Sequence, residues 1–566
     1  MSTPKRRNPR SAAKKPADHP LPLAHDWAEI FTGHARTAFM VALRQWLPSR
    51  RWFRGKARVI DSVKVSELIT VPISRQTAFL VLFQVNYTEG EPELYVLPLA
   101  CAFGKKAREI RHAWPRSILT RVSQSRPRQD GILYDAIVDK QFCHSLLAMT
   151  SHRHTITGNA GALEAEPTSV LRKIRREQGL DIEPSVSKAE QSNSSIIYGN
   201  SLILKFFRRL DMGTNPELEI ERFLAACSFP YSPPLAGALE YHDKRGRTST
   251  MAVLTSFVPG CHDAWQDTLY ALRHFYDRVQ RLPARLRVAP SAAEALGAIF
   301  GQAALPRKPA DLIGTYLRDA KTLGRRTAAL HLALASDAKD PSFRPEPWTA
   351  EAQQSLFESM RDLTHHNYHL IRQHVAMLPA STRILAKKVL PFESLIVNRF
   401  QQITVSPLGA VRIRTHGDYH LGQVLHHGGD FLIIDFEGEP AVSLEERRSK
   451  QSALRDVAGM IYSFFYAAHA ALRELPRSRL GARETRTAWA RYWAVWAGTA
   501  FLRAYLETAG SAPFIPADQR ALKVVLDVEL LRKAIYELGY ELNNRPDWVN
   551  ITFQVLLDLF NPDNPI

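Results

Sequence analysis

Three polar residues between Arg414 and Pro440 have the types and the spacing that phosphoryl transfer requires. Asp418 lies beside a glycine in a loop, Gln423 follows five residues later, and Asp435 follows 17 residues after Asp418. In phosphoryl-transfer sites a loop aspartate accepts the proton of the attacking hydroxyl, while an amide and a second carboxylate hold the metal on the nucleotide. The spacing indicates that Asp418 is the catalytic base and that Gln423 and Asp435 bind a metal ion.

The residues between the amide and the second carboxylate predict a β-hairpin. Apolar residues at 424–425 and 431–434 flank a turn-forming stretch that contains Gly428 and Gly429. Two apolar runs around a Gly-Gly pair are typical of antiparallel strands joined by a tight turn. The alternative interpretation is that Asp435, Glu437 and Glu439 only solvate the end of a strand.

The expected register of this hairpin brings the two proposed metal ligands together. If Leu425 pairs with Phe431, Gln423 lies opposite Ile433, and Asp435 lies two residues further along the partner strand. At about 3.4 Å per residue this offset is about 7 Å, so both side chains reach one cation. Mg²⁺ takes oxygen ligands of this type and keeps positions for phosphate and water.

A lysine lies inside a predicted strand in the first half of the chain. Residues 185–207 predict three strands, with turns at 192–194 and at 199–200, and Lys205 lies in the third. A charge inside such a strand needs a partner. Kinase-type enzymes place a lysine here on the α- and β-phosphates and hold it with a glutamate of the following helix. That helix carries Glu217, Glu219 and Glu221, and helical geometry alone leaves the choice open.

A predicted helix over residues 530–549 carries side chains suited to a sugar. Tyr536 and Tyr540 share one helix face, Glu537 and Glu541 lie beside them with the same spacing, and Arg545 follows. Aromatic faces stack on sugar rings, and charged groups form hydrogen bonds with hydroxyls. The alternative is a structural helix docked by its aromatic residues.

The remaining pattern predicts a β-rich N-terminal region followed by helices. A helix is expected over 21–46 and strands over 62–71, 77–87 and 93–99, with Trp52 and Phe53 as core residues. Helices are expected over 269–282, 293–304, 313–335, 353–375 and 454–471. Asp456, in the last of these, is expected to support the catalytic loop by hydrogen bonds.

Composition indicates a soluble, cytoplasmic protein. The 566 residues are 45% hydrophobic and 23% charged, and no apolar run is long enough to span a membrane. The net charge of +18 attracts polyanions, nucleotides included. The four cysteines lie far apart, which fits a reducing compartment and no disulfide framework. Residues 1–20 are basic and are interpreted as a disordered, solvated tail rather than a nucleic-acid-binding or membrane-binding arm.

Several motifs together resemble the maltokinase family of the aminoglycoside-phosphotransferase-like kinases. The chain contains HGDYHLGQVL followed by IDFEGEP, where maltokinases have HGDxHLGQVL and IDFEGEP. It also matches the family's WLPxxRWFxGK, NPxxExxRFL and NRPxW patterns, and the resemblance spans about Val41 to Ile551. Most of the wider superfamily has asparagine in place of Gln423. The glutamine departs from that pattern but agrees with maltokinases.

The resemblance implies a bilobal, protein-kinase-like α+β fold with a β-rich N-terminal cap and a mainly helical C-terminal lobe. The implied division is a tail over 1–20, a cap over 21–115, an intermediate and N-lobe region over 116–260, and a C-lobe over 261–566. The implied reaction is ATP- and Mg²⁺-dependent phosphorylation of maltose at its anomeric hydroxyl to maltose 1-phosphate, which feeds trehalose and glycogen metabolism. The family also occurs fused to trehalose synthase, so association with that enzyme stays open.

The resemblance also assigns individual residues. It selects Glu219 as the partner of Lys205 and places Asn193, Ser194 and Ser195 over the nucleotide phosphates. The residues assigned to the sugar are His420, Glu437, Tyr536, Glu537, Tyr540, Glu541 and Arg545.

Alternatives from other classes remain. One is another small-molecule kinase of the aminoglycoside or choline type, and another is a noncatalytic pseudokinase partner of trehalose synthase, although Asp418, Lys205 and Asp435 are all retained. A nucleic-acid binder is disfavoured, because the basic and aromatic cluster at 50–58 lies in a structural context. A glycosidase using Glu437 and Glu439 is disfavoured, because residues two apart on a strand cannot straddle a glycosidic bond.

Overall fold

The structure is a computed structural model that describes residues 20–561, apart from 74–75, 126–127, 188–191, 292–294, 296–298, 300–305, 441, 477–479 and 481. The predicted basic tail, except Pro20, the end of the first strand predicted before Lys205, and most of the helix predicted over 293–304 lie outside the described residues. The chain divides into two compact units, Met1–Leu218 with Pro234–Pro259, and Glu219–Pro233 with Gly260–Ile566. The four-part division inferred from the sequence stays a prediction.

The first unit is built on two sheets. Their strands are β1 (Leu21–Leu23), β2 (Ile60–Ile73), β3 (Gln76–Tyr87), β4 (Glu93–Phe103), β5 (Ile118–Ser125), β6 (Arg128–Asp135), β7 (Thr155–Thr157), β8 (Gly161–Pro167), β9 (Pro184–Val186), β10 (Asn193–Tyr198), β11 (Leu202–Phe207), β12 (Arg209–Leu210), β13 (Leu235–Asp243) and β14 (Thr248–Ser256). The first sheet has the order β1-β5-β6-β4-β3-β2, with β12 paired to β4, and the second has the order β7-β8-β13-β14-β11-β10-β9. All described pairings are antiparallel except that of β1 with β5.

Four helices of the first unit cover these sheets. They are α1 (Ala35–Trp46), α2 (Gly104–Ala113), α3 (Lys140–Ser151) and α4 (Ser169–Gln178). One apolar cluster packs α1 against one face of the first sheet and includes Trp52 and Phe53, which are 5% and 1% exposed. The prediction that these two aromatic residues belong to the core is confirmed. The boundary between the units falls within α5 (Pro216–Ala226).

The second unit is mainly helical. Its helices are α6 (Ala264–Arg281), α7 (Arg307–Ile313), α8 (Tyr316–Leu334), α9 (Ala350–His374), α10 (Ala380–Val389), α11 (Glu393–Gln401), α12 (Leu444–Arg448), α13 (Leu454–Glu474), α14 (Arg483–Ala509), α15 (Gln519–Asn544) and α16 (Val549–Leu559). Its short strands are β15 (His262–Asp263), β16 (Glu346–Pro347), β17 (Val411–Arg412), β18 (Val424–His427) and β19 (Asp430–Ile433). Most of α13 is buried, as its apolar sequence predicted. Its neighbour α14 contributes three fully or nearly fully buried tryptophans, Trp489, Trp493 and Trp496.

The predicted fold class is confirmed as a mixed α+β fold with a β-rich N-terminal region and a helical C-terminal region. Strands β2, β3 and β4 contain the three strands expected there. The helix expected over 21–46 is wrong at its start, because the chain first forms β1 and then a 3-10 helix capped by Asp26, and the α-helix begins only at Ala35. In the part of the chain that the structure describes, no helix has the length and apolar character needed to cross a membrane.

Candidate active site

The loop that carries Asp418 is fixed by a buried carboxylate of α13. Asp456 is 1% exposed and accepts hydrogen bonds from the backbone N–H groups of His416 (2.7 Å) and Gly417 (3.0 Å). His331 Nε2 lies 3.1 Å from the same carboxylate. Burial acts to raise the pKa of Asp456, but His331 and the backbone donors outweigh it, so the carboxylate stays ionised. The prediction that Asp456 supports the catalytic loop is confirmed.

A second contact between α13 and the loop leaves no room for a side chain. A Cβ atom built on Gly459 would lie 2.6 Å from the backbone oxygen of Tyr419. Four residues further along the helix, Ser463 Oγ accepts a hydrogen bond of 3.0 Å from Leu421 N–H. Helix and loop therefore pack backbone to backbone, which fixes the position of Asp418.

The predicted hairpin is present as β18 and β19, but its predicted register is wrong by one residue. Leu425 pairs with Leu432 rather than with Phe431. The prediction assumed a long turn, whereas the turn is only Gly428 and Gly429, with φ of 58° and 82°. These positive dihedrals are what a two-residue type I′ turn requires, and glycine adopts them without strain.

The corrected register brings Gln423 and Asp435 closer than expected. The backbone oxygen of Gln423 accepts a hydrogen bond of 3.0 Å from Ile434 N–H, so Asp435 is one residue beyond Gln423 rather than two. Asp435 has a φ of 66°, a left-handed conformation that costs energy in a residue with a side chain. An amide oxygen and a carboxylate at the open end of a hairpin fit a hard cation such as Mg²⁺.

The strongest contact of Asp418 is with a lysine that the sequence analysis did not assign to the site. Lys533 Nζ on α15 lies 3.0 Å from Asp418 Oδ1, 2.9 Å from Glu537 Oε1 and 3.8 Å from Glu439 Oε1. Glu439 is held in addition by Arg455, at 3.0 Å. One ammonium group thus joins the loop of Asp418, the segment after the hairpin and α15.

This cluster sets the charge of the Asp418 carboxylate. Burial acts to raise the pKa of Asp418, but the adjacent Lys533, together with His420, lowers the pKa well below its usual range. Burial acts to lower the pKa of Lys533, but Asp418, Glu537 and Glu439 raise it well above its usual range. Both groups are therefore charged at neutral pH.

His420 lies beside Asp418, as predicted. Its Nε2 is 3.9 Å from Asp418 Oδ2, and its Nδ1 accepts a hydrogen bond of 3.0 Å from Gly422 N–H. Burial lowers the pKa of His420, and Asp418 offsets only part of that effect. The ring is partly exposed and is within reach of a hydroxyl group placed at Asp418.

The predicted sugar residues of α15 divide into separate environments. Glu537 and Tyr536 face the cluster, since Glu537 pairs with Lys533 and the Tyr536 ring lies 5.2 Å from Lys533 Nζ. Tyr540 is exposed, with Arg545 stacked 5.2 Å from its ring. Tyr536, Glu537, Tyr540 and Arg545 as sugar-binding residues stay predictions.

Glu541 is placed differently from its prediction as a sugar residue. It has no exposed surface, and its carboxylate accepts hydrogen bonds of 2.6 Å from the hydroxyls of Tyr466 and Thr552. Residues at i and i+4 lie on one face, but the end of α15 is covered by α13 and α16, which bury the later of the two glutamates. Glu541 stabilises the packing of three helices.

Replacing Glu541 by glutamine is expected to flatten the pH dependence of stability. Burial raises the pKa of Glu541 from 4.5 to about 7, and the hydroxyl donors offset only part of this rise. The folded protein therefore binds this proton more tightly than the unfolded chain. As pH rises from about 4.5 through about 7, the free energy of unfolding falls by about 3 kcal/mol. Melting temperatures measured from pH 5 to pH 8 should fall less in Glu541→Gln than in the wild type. Equal slopes would contradict this assignment, and exposed Glu507→Gln is the control.

The glutamate partner of Lys205 is Glu217, not Glu219. Lys205 Nζ donates a hydrogen bond of 2.9 Å to Glu217 Oε2. The carboxylate of Glu219 instead accepts hydrogen bonds from Arg414 Nη1 (2.7 Å), Arg448 Nη2 (2.7 Å) and Arg448 Nε (3.1 Å). Residues two positions apart on an α-helix are rotated by about 200° around its axis, so these two glutamates face opposite sides of α5. Glu219 anchors the strand end that leads into the catalytic loop.

The predicted phosphate-binding turn is part of a strand. Asn193, Ser194 and Ser195 all lie in β10, where Ser195 pairs with Lys205 and Ser194 with Phe206. Successive side chains of a strand point to opposite faces, so Ser195 shares the face of Lys205 and Ser194 does not. Ser194 Oγ accepts a hydrogen bond of 2.9 Å from Arg208 Nε. The roles of Asn193, Ser194 and Ser195 at the nucleotide phosphates stay predictions.

Comparisons with known proteins agree with this architecture. Residues 46–139 match the maltokinase N-terminal cap domain. A structure of glucosamine kinase in complex with glucosamine, ADP and inorganic phosphate covers 92% of this chain and 99% of its own, with a TM-score of 0.57 and 18% identity. A second crystal form of glucosamine kinase covers 91% of this chain with a TM-score of 0.58. The chain has a kinase-like fold.

Two proteins that are similar to this chain in sequence are also glucosamine kinases. A glucosamine kinase of Streptacidiphilus jiangxiensis is 24% identical over 376 residues, covering 65% of this chain and 72% of the relative. A glucosamine kinase of Mycolicibacterium smegmatis is 25% identical over 372 residues, covering 64% of this chain and 76% of the relative.

In this kinase-like fold Asp418, Gln423 and Asp435 lie on one loop and hairpin, as the spacing predicted. The role of Glu437 stays a prediction, and its backbone oxygen accepts a hydrogen bond of 3.3 Å from Arg447.

Proposed function

We propose that the protein is a sugar kinase that transfers the γ-phosphoryl group of ATP to the anomeric hydroxyl of maltose, giving maltose 1-phosphate. The observation that carries the proposal is the 3.0 Å ion pair between Asp418 and Lys533. It joins Asp418, which we propose as the base, to a helix with partly exposed aromatic and acidic side chains. A sugar seated on that helix has a hydroxyl group next to Asp418.

The mechanism follows from the charges of this cluster. Asp418 is ionised and accepts the proton of the sugar hydroxyl as the bond to phosphorus forms. A carboxylate with a lowered pKa is a weak base, which suits a loose transition state in which positioning and charge stabilisation dominate. Lys533 holds the carboxylate in one orientation. Gln423 and Asp435 would hold Mg²⁺, which would neutralise charge on the phosphates. Lys205, paired with Glu217, would hold the α- and β-phosphates.

The charges around Lys533 leave both a neutral sugar and an amino sugar as acceptors, and the choice of maltose rests on the cap domain. The carboxylates of Asp418, Glu439 and Glu537 already share one ammonium group. With Arg455, which pairs with Glu439, the cluster has a formal charge of −1, so its charge does not exclude an amino sugar. The maltokinase-type cap supports maltose, and a supply of maltose 1-phosphate for α-glucan synthesis follows from that product. Association with trehalose synthase and cytoplasmic location stay predictions.

The second candidate is a glucosamine kinase, which the two sequence relatives and the two structures favour. A coupled assay of ADP release with maltose, glucose, glucosamine, choline and an aminoglycoside separates these functions. We expect maltose to give the highest kcat/KM and glucose to lose kcat as well as affinity, because a remote ring helps align the reacting hydroxyl. The product should show phosphorus coupled to the anomeric proton by NMR. Faster turnover of glucosamine would assign the second candidate, and faster turnover of choline or an aminoglycoside would exclude both.

Replacing Lys533 by methionine is expected to raise the pKa of Asp418 and to impair catalysis. Without the ammonium, burial and the neighbouring carboxylates both favour the protonated acid. The acid limb of the kcat/KM profile should shift to higher pH, and KM for the sugar should rise while KM for ATP changes little. Lys533→Arg should keep the acid limb near its wild-type position, and Lys523→Met, an exposed position on the same helix, is the control. An unshifted acid limb in a folded Lys533→Met variant would show that Lys533 does not set the charge of the base.

A further inference from the structure

A charged cavity of about 230 Å³ lies in the first unit, and Asn193 and Ser194 contribute to its lining. Three arginines and a single carboxylate line it, which gives the lining a formal charge of +2; these residues are Arg50, Arg116, Arg208 and Asp135. Trp52 and Trp114 form apolar parts of its wall. The volume is below that of most sites for drug-sized ligands and is sufficient for a compact one.

Arg208 is built into this cavity with an unused donor. Its side chain is 1% exposed, and it donates to Ser194 Oγ (2.9 Å) and Asp135 Oδ2 (2.7 Å). Its third nitrogen, Nη1, is buried and has no hydrogen-bond partner among the described residues. An unmet donor on a buried charged group is costly, and an anion in the cavity would relieve that cost.

Arg50 is the second buried cation of the cavity. It is 8% exposed, and its guanidinium contacts the backbone oxygen of Arg116 and lies 4.6 Å from the Trp46 ring. Two guanidinium groups held by backbone, aromatic and carboxylate contacts are pre-organised, so little side-chain entropy is lost when a ligand binds.

We propose that this cavity is a binding site for the phosphoryl group of a small metabolite. Guanidinium groups match the oxygens of a phosphate with paired N–H donors, and a dianion balances the formal charge of +2. The tryptophan walls suit the apolar face of a small organic group attached to that phosphate. Free phosphate and a sugar phosphate share this chemistry.

The site is separate from the position of Lys205. Along β11 the side chains alternate, so Phe206 and Lys205 point to opposite faces. Arg208, which follows the strand, lies on the side of Phe206, with its guanidinium 5.6 Å from that ring. Ser194, which contacts Arg208, is likewise on the face opposite Ser195. A nucleotide phosphate on Lys205 therefore does not occupy this cavity.

The test is calorimetric titration of the full-length protein with inorganic phosphate and, separately, with glucose 1-phosphate. Both titrations are carried out with Mg²⁺ and a saturating non-hydrolysable ATP analogue, so that any nucleotide site is filled. We expect saturable binding with a dissociation constant below about 1 mM. Tighter binding of the ester would identify a sugar phosphate as the ligand, and equal or tighter binding of phosphate would identify the free anion.

Matched variants locate the binding. Arg50→Gln and Arg208→Lys should each weaken phosphate binding by about tenfold or more, because the first removes a charge and the second removes the guanidinium fork. Arg51→Gln removes an equal charge from the adjacent, exposed residue and should leave the affinity within about twofold. Hydrogen exchange of the wild type should also show phosphate-dependent protection at Trp114–Ser117 and Ser194, which requires no variant. Absence of saturable binding, equal effects of the Arg50 and Arg51 changes, or protection confined to other segments would overturn the proposal.

Discussion

Replacing Asp418 by asparagine is expected to lower kcat by about 10²–10⁴-fold, the range for loss of a general base. The amide keeps the shape of the carboxylate and an oxygen that can accept from Lys533, so the loop should keep its conformation. Because neither the backbone contacts of Asp456 nor the hairpin involves the Asp418 side chain, folding and ATP affinity should be retained. Steady-state kinetics with maltose and calorimetric titration of nucleotide measure the two expectations.

The control for this variant is Asp362→Asn, at an aspartate whose side chain is 67% exposed. Turnover within a few-fold of the wild type in Asp418→Asn would remove Asp418 from the mechanism. Loss of nucleotide binding together with turnover would indicate a disturbed fold instead, which thermal melting distinguishes.

Replacing Asp435 by asparagine is expected to lower kcat/KM for MgATP by about 100-fold or more, since a metal-held charge in the transition state is worth several kcal/mol. Asparagine is the informative change, because it tolerates the left-handed conformation seen at Asp435 (φ of 66°), whereas alanine would add backbone strain. Activity should vanish with a chelator and return with Mg²⁺ or Mn²⁺. Higher total Mg²⁺ should partly rescue the variant.

Gln423 provides the companion measurement. Gln423→Asn keeps the amide but withdraws it by one methylene, so its effect should be smaller than that of Asp435→Asn. Gln423→Ala should require more Mg²⁺ for half-maximal activity. Wild-type behaviour of Gln423→Ala at limiting Mg²⁺ would exclude it as a ligand, and Asp435 would then hold the ion with other oxygen donors.

The hairpin shows how far sequence reasoning reaches. Two apolar runs and the Gly428-Gly429 pair were sufficient to predict two strands and to place Gln423 and Asp435 at one end. The register was wrong because it depends on whether the turn has two residues or five. The Gly428-Gly429 pair itself favours a two-residue type I′ turn, so the correct register could have been predicted from the sequence.

The contact between Asp418 and Lys533 could not be predicted from the sequence. Lys533 precedes Glu537 by one helical turn, a pattern that usually marks a solvated surface pair. Its burial follows from the docking of α15 on a loop 115 residues earlier in the chain. The choice between Glu217 and Glu219 could not be made from the sequence for the same reason. Helix α5 has acidic residues on both sides, and only the contacts of Glu219 with Arg414 and Arg448 distinguish the two glutamates.

The ion pair between α15 and Asp418 also limits how this catalyst can diverge. The helix proposed to present side chains to the acceptor also supplies the counter-ion of Asp418, the proposed base. A change of acceptor made by exchanging this helix would therefore also change the basicity of the reacting carboxylate. Chimaeras that carry the corresponding helix of a glucosamine kinase should show altered sugar preference and altered pH–rate profiles together, and recovery of full activity would require compensating changes near Glu439 and Arg455.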